Sequence, residues 1–349
     1  MTPGLRALLA AQLSSALMVD EEWTVRTPHG FTWWPHRAAQ RVEVGEPFEE
    51  GGAAGCRVVV ETDVLALDAE PTPALEAALA GLMRFPPMAA FRVDRDEHRV
   101  TLASALFVPD VLTPLFVPRL AVAAILQAAY AELGTDALAK ETGARPAWSV
   151  HPSAGGRPEA DGLLRLVAER IVPAGDALSR WDDPAELLAA ADGLSAQGAR
   201  AGAHAGGLNA RFPFLSGSKD PLAPGASSLL QVRTRERHPE LGHGVFLRLF
   251  LPGGDALVGR RATASVAMDL NGEEFADDRF AGQGLGSWTA ESSEPETELP
   301  VAPGAPRLCH VTFLPNYVRV PGALRNAVAD AGKRANWAAH LFAHRRGVS

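Results

Sequence analysis

The sequence predicts an α+β fold of two related halves, each an antiparallel sheet packed with helices. Three observations predict it. A strand running into a proline, then an apolar link, then a proline-opened helix occurs twice, from Val100 to Leu133 and from Cys309 to Phe342. The two strand exits match, Phe107-Val-Pro-Asp110 against Phe313-Leu-Pro-Asn316. Proline suits both places, because it lacks the N–H that a ladder needs and that a first helical turn leaves unused. Finally, 349 residues with 47% hydrophobic content are enough for more than one core. The expected boundaries are 1–142 for the first α+β domain, 143–162 for a linker rich in Pro, Gly and Ala, and 163–349 for a second, more divergent α+β domain.

In chain order, Leu5, Leu8, Leu9, Leu13 and Leu17 repeat at helical spacing. Trp23 to Arg26 and Phe31 to Trp34 flank Pro28 and Gly30 and read as a hairpin. Gly55 to Leu67 is β-branched and reads as a strand. Pro73 to Met83 has helical periodicity and must stop before Pro86-Pro87. Ala90 to Leu102 reads as strand, charged turn and strand. The helix expected from Pro118 to Leu133 is apolar nearly all round, so more than one face should be covered, with Gly134 as its cap. In the second half, helices are expected at 163–171 and 184–200, the latter with Asp183 as N-cap and Pro184 at the first position. Residues 203–225 read as irregular, 229–235 and 244–251 as paired strands, and 255–270 as a helix ended by Asn271-Gly272. Leu285 to Glu291 reads as strand, 292–306 as an acidic, proline-rich excursion expected to be mobile, and Arg307 to Leu314 with the helix from Pro321 completes the half.

The net charge of -8 argues against a nucleic-acid surface, which needs clustered Lys and Arg. Arginine carries nearly all the basic charge, Lys140, Lys219 and Lys333 being the only lysines, and with the abundant Ala, Gly and Pro this matches a high-GC bacterial codon bias. Cys56 and Cys309 lie far apart in β-like runs, and each reads as a buried free thiol. The N-terminus lacks the pattern of a secretory leader, and the most apolar run is interrupted by Pro114, Pro118 and Arg119. A cytoplasmic protein without membrane contact is expected.

Chemical motifs are scarce. Gly282-Gln-Gly-Leu-Gly286 lacks dinucleotide-binding spacing and reads as a loop. Ser216-Gly-Ser-Lys219 has an acylating enzyme's Ser-x-x-Lys spacing, but Asp220-Pro221 follows at once. His340 and His344 are four apart on the last helix but lack a third ligand; Asp269 to Glu274 does not match a calcium loop; His238 and His243 sit in a turn. No metal and no cofactor are expected.

The candidate partner-binding residues are Trp33, Trp34, Leu115 and Phe116. Adjacent strand side chains point to opposite faces, so one of the two indoles should lie outside the local core. Leu115-Phe116 sits in an apolar link between prolines that should not be left bare. The alternative is that the second half, or the helix from Leu163, covers them.

The order helix, strands, helix, strand, strand, long helix over residues 5–135 resembles the type III secretion chaperone-like fold, including its YbjN-like and peptide-binding chaperone branches. Phe91-Arg-Val-Asp through Arg99-Val-Thr-Leu102, the Phe107-Val-Pro-Asp110 exit and the helix to Leu133 carry the resemblance; the second half shares it over Leu308 to Phe342 and the two strands before. The resemblance implies a non-enzymatic module that holds a segment of a client protein against its sheet and helices, commonly as a homodimer. The alternatives from other classes are a hydrolase-like enzyme whose site is assembled only in three dimensions, and a structural subunit of a larger assembly.

Overall fold

The computed structural model describes residues 4–213, 227–251, 262–277, 280, 282–291 and 307–345. It contains two antiparallel sheets of seven strands, each packed with helices. The chain forms two compact units that are not contiguous in sequence. Unit 1 comprises Met1–Leu79, Pro86–Ile171 and Met268–Ser287; unit 2 comprises Ala80–Phe85, Val172–Ala267 and Trp288–Ser349.

In unit 1 the helix α1 (Leu5–Ala16) leads into β1 (Thr24–Thr27), β2 (Gly30–Trp33), β3 (Gln40–Glu50) and β4 (Ala53–Ala66). Then come α2 (Pro73–Leu82), β5 (Ala90–Asp94), β6 (Arg99–Pro109), α3 (Thr113–Thr142) and the short β7 (Arg145–Pro146). The strand order is β1-β2-β3-β4-β6-β5, with β7 on β4. One face of the sheet is closed by α3 on β4 and β6 and by α1 on β2 and β3. Val58, Val60, Leu102, Ser104 and Leu106 alternate onto this face.

Unit 2 repeats the plan. It contains α4 (Val172–Asp176), α5 (Pro184–Ala196), β8 (Arg200–His204), β9 (Gly207–Pro213), β10 (Ser227–Arg233), β11 (Arg237–His238) and β12 (Gly242–Phe250). The helix α6 (Thr263–Ala276), whose residues from Met268 on belong to unit 1, precedes β13 (Gly286–Glu291), β14 (Arg307–Pro315) and α7 (Ala323–Arg345). The order β8-β9-β10-β12-β14-β13 mirrors unit 1 strand for strand, with β11 on β12. Helix α5 packs on β8, β9 and α7, whereas α1 packs on β2, β3 and α3, one strand further into its sheet. The correspondence reaches single residues. Gly55 pairs with Pro109 and Gly244 with Pro315. A Cβ on Gly55 would lie 2.6 Å from the Val108 carbonyl and 2.7 Å from the Phe107 ring, and one on Gly244 would lie 2.4 Å from the Leu314 carbonyl and 2.5 Å from the Phe313 ring. Glycine at both strand exits therefore serves one purpose, close approach of backbone and aromatic ring.

Each unit also includes a helix end and loop encoded in the opposite half. In unit 1 Arg57, on the second face of the sheet, donates to the carbonyls of Glu274 (2.8 Å) and Asp277, capping the end of α6. Ala105 N–H donates to Gly284 O at 3.0 Å, and Phe275 packs with Ala90, Ala103 and Ala105. In unit 2 His238 faces the Phe85 carbonyl at 3.0 Å, and Phe85 lies edge-on to Phe246. The segment 143–162 lies within unit 1, where β7 pairs with β4 and Asp161 N–H donates to Pro35 O at 2.7 Å.

Several elements differ from expectation. Strand β3 was not anticipated: Gly45 and Pro47 interrupt its pattern at a bulge between Val44 and Pro47, the position where a strand tolerates proline. Helix α3 begins at Thr113, passes through Pro118 and ends at Gly143 in the left-handed conformation (φ 73°). One lost backbone hydrogen bond at Pro118 does not end a helix whose sides are packed, and Gly134 is interior because Thr135, Leu138 and Ala139 continue the buried stripe. This helix with its preceding turn is long and apolar enough to cross a membrane by composition, and 72% of its most apolar stretch is buried inside the protein. Residues 163–171 form a 3-10 turn and a π turn rather than one α-helix. Strands β8 and β9 occupy part of the stretch expected to be irregular. Asn271-Gly272 does not stop α6, which runs to Ala276, because the Asn271 side chain is turned inward to Ser287 (3.1 Å). Asp183 caps α5 as expected, accepting from the N–H of Ala185 and Glu186. Residues 292–306 and Ser216 to Lys219 lie outside the described residues.

Candidate partner-binding surface

The four residues singled out for partner binding take different places. Trp33 is 1% exposed beneath α3; its indole N–H donates to Gln40 Oε1 at 2.9 Å, and the Gln40 amide donates onward to Thr62 Oγ1 and the Ala124 carbonyl. Trp34 is outside that core but also buried. The stretch 147–161 covers it: the indole donates to Ser149 Oγ at 3.0 Å and the ring meets His151 edge-on at 5.0 Å. Phe116 is buried, with the Arg119 guanidinium 5.6 Å from its ring centroid. Leu115 alone of the four is exposed, at 42%.

Leu115 is not isolated. Strand β6 ends at Pro109, Asp110 to Leu112 make one 3-10 turn, and α3 starts at Thr113. The Asp110 carboxylate accepts the Val111 N–H at 2.7 Å and sets the turn. Val111 (74% exposed), Leu112 (37%) and Leu115 form an apolar ledge resting on β4 and α3. At the same end of the sheet Gly55 pairs with Phe48 as well as Pro109, and the following pairs Glu49–Ala54 and Glu50–Ala53 bring two further carboxylates to the β3–β4 hairpin. The half-buried Phe48 packs on Phe107 at 4.7 Å.

No family model, curated protein or solved structure matches this chain.

Other polar features have structural partners. A cavity of about 170 Å³ in unit 1 is lined by Val93, Arg95, Met268, Asp269, Gly272 and Glu273. Its Arg95 guanidinium is paired with Glu76 (2.8 Å), Glu70 and Asp269 (3.4 Å each), an ion-pair network with no nucleophile in the lining. His151-Pro-Ser-Ala-Gly155 and His238-Pro-Glu-Leu-Gly242 form the same turn twice: Nδ1 accepts from the backbone N–H groups two and three residues on. The repeated His-Pro-x-x-Gly spacing was the sequence signal for it. Nδ1 as acceptor leaves the His238 Nε2 proton for the Phe85 carbonyl, and burial pushes the pKa of this imidazole below its ordinary value. His310, buried beside Trp288, is pushed well down by burial and by the nearby Arg334 charge. Cys56 and Cys309 are buried free thiols whose pKa values burial raises. His340 is exposed, and among the described residues no group of three His, Cys, Asp or Glu side chains is placed to hold a metal ion.

Asp110, Val111 and Leu112 were missed as site residues. Their signal was in the repeat itself, where Asp110-Val-Leu stands against Asn316-Tyr-Val.

Proposed function

We propose that this chain is a non-enzymatic protein- or peptide-binding module, chaperone-like in the arrangement of each half, that holds a segment of a client protein in the cytoplasm. The observation that carries the reading is the ledge of Val111, Leu112 and Leu115. Three neighbouring apolar side chains stand exposed on a turn fixed by a strand behind it and a thirty-residue helix after it. Preorganised apolar anchors of this kind bind without ordering cost on their own side. The order of elements, repeated in both units, supports a chaperone-like arrangement, and Arg57 capping the carbonyls of α6 is an example within the chain of the sheet taking up a helix end by its main chain.

The test is an aggregation assay. A chemically denatured reporter enzyme is diluted into buffer with the full chain, and light scattering is followed. Suppression by the wild type, lost in the double variant Val111→Glu, Leu115→Glu with its melting curve unchanged, is the expected result. No suppression, or suppression that survives the double substitution, would remove this reading.

A further inference from the structure

The two strand exits begin from matching sequences and end in opposite conditions. In unit 2 Asn316 is fully buried. Its amide donates to the carbonyls of Ala174 (3.1 Å) and Leu178 (3.2 Å), and its oxygen accepts the N–H of Arg180 (3.0 Å). All three partners belong to residues 172–183. Helix α4 packs on β12 and on the turn Asn316–Val318, and Ser179 Oγ donates to Gly244 O at 3.3 Å. Trp181 is fully buried, with the Arg319 guanidinium 5.7 Å from its ring. A short helix and the turn after it cover Asn316 and Val318, the latter only 8% exposed, while Tyr317, the counterpart of Val111, stays 45% exposed. In unit 1 the corresponding Leu112 is 37% exposed, and the carboxylate of Asp110 is bonded to the N–H of its own neighbour.

We propose that the corner of unit 1 docks a short helical segment of another protein, basic in character, in the place that residues 172–183 hold in unit 2. This rests on the binding-module reading and names its occupant. The scaffold is the same in both units: a glycine opposite the exit proline, a phenylalanine two residues before that proline, and a 3-10 turn after it. Within that scaffold the three turn residues differ, Asp110-Val111-Leu112 against Asn316-Tyr317-Val318, and the first of them is the one that bonds the occupant in unit 2. Asn316 donates to two carbonyls and accepts one N–H, whereas a carboxylate accepts only. An occupant of unit 1 must therefore offer Asp110 N–H groups or a Lys or Arg head, not bare carbonyls. Glu49 at the same sheet end adds to the negative field, and Val111, Leu112 and Leu115 supply the apolar floor for the occupant's apolar side chain, the part Trp181 plays in unit 2.

Fluorescence anisotropy with the full chain tests this. One labelled peptide has the sequence of residues 172–183; the other carries Asp176→Lys, Asp182→Lys and Asp183→Lys. The basic peptide should bind at least about tenfold more tightly than its acidic parent. Asp110→Asn should narrow that ratio to about threefold or less, because the amide restores the donors that unit 2 uses. Leu115→Glu, or Val111→Glu should the first variant fail to fold, should abolish binding of both. The proposal is overturned if neither peptide binds, if the ratio is unchanged in Asp110→Asn, or if the ledge variants bind as the wild type does. A chain that suppresses aggregation through the ledge yet shows no basic preference keeps the binding-module reading and rejects this occupant.

Discussion

The corners at Pro109–Leu112 and Pro315–Val318 are built on one plan, and comparing them separates what the plan supplies from what each half adds. Both have a glycine behind the turn, a phenylalanine against it and a helix beyond it. In unit 2 the added segment 172–183 contributes an indole and three backbone partners for Asn316, and Asn316 and Val318 become core while Tyr317 stays exposed. In unit 1 the same corner keeps its apolar side chains in the open, with an acidic residue at the position of the amide. A duplicated scaffold thus hosts a largely covered corner and an open one, and the difference rests on one short segment and on the residues of the turn itself, Asp110-Val-Leu against Asn316-Tyr-Val.

The comparison is broken most severely by Trp181→Ala. The indole is fully buried, and deleting it should cost about 3–5 kcal/mol in urea denaturation; a loss under about 1 kcal/mol would show that the corner is not packed core. Gly55→Ala and Gly244→Ala probe the shared scaffold. Each new methyl would press on a carbonyl and a phenyl ring, so each should cost about 1–3 kcal/mol. A neutral Gly55→Ala beside a damaging Gly244→Ala would mean that the two exits are not equivalent.

Unit 2 also carries His238 and His310, whose folded-state pKa values burial holds below the ordinary 6.5. As the pH falls, the unfolded chain takes up these protons first. The stability they confer is complete above about pH 6.5 and declines as pH falls from there toward the folded values, by up to about 1.4 kcal/mol per pH unit for each histidine. Denaturation between pH 7 and 5.5 should show this slope, and His310→Gln should flatten it; an unchanged slope would mean that His310 is not held neutral. Smallest of all is Val111→Ser. At an exposed position it should change stability by no more than about 0.5 kcal/mol, whereas Val318→Ser, at the buried unit 2 counterpart of Leu112, should cost about 1 kcal/mol or more. Equal effects in thermal melts would erase the contrast between open and closed corners.

Strongly periodic elements were legible in the sequence. Helices α1, α2 and α5, strand β4 and the β5–β6 hairpin lie where hydrophobic period and punctuation put them. The misread elements share a cause, local signals overruled by packing. Pro118 reads as a helix start but is carried inside α3; Asn271-Gly272 reads as a stop but continues α6 because Asn271 finds a buried partner in Ser287; Gly45 and Pro47 hide β3 because a bulge absorbs them. Within the candidate site, only Leu115 was both named from sequence and found exposed, and the rest of the ledge lay in the repeat beside it.

The sequence by itself determined the class of fold and its doubling, because proline-marked exits and apolar periods are properties of neighbouring residues. Tertiary structure decided that Trp34 is covered by residues 147–161, that Arg57 caps a helix more than two hundred residues away in the chain, and that Asn316 is buried while Asp110 is open. Periodicity tells which side of an element is apolar; which distant segment comes to rest on that side is set by contacts between residues far apart in the chain, and no local pattern records them.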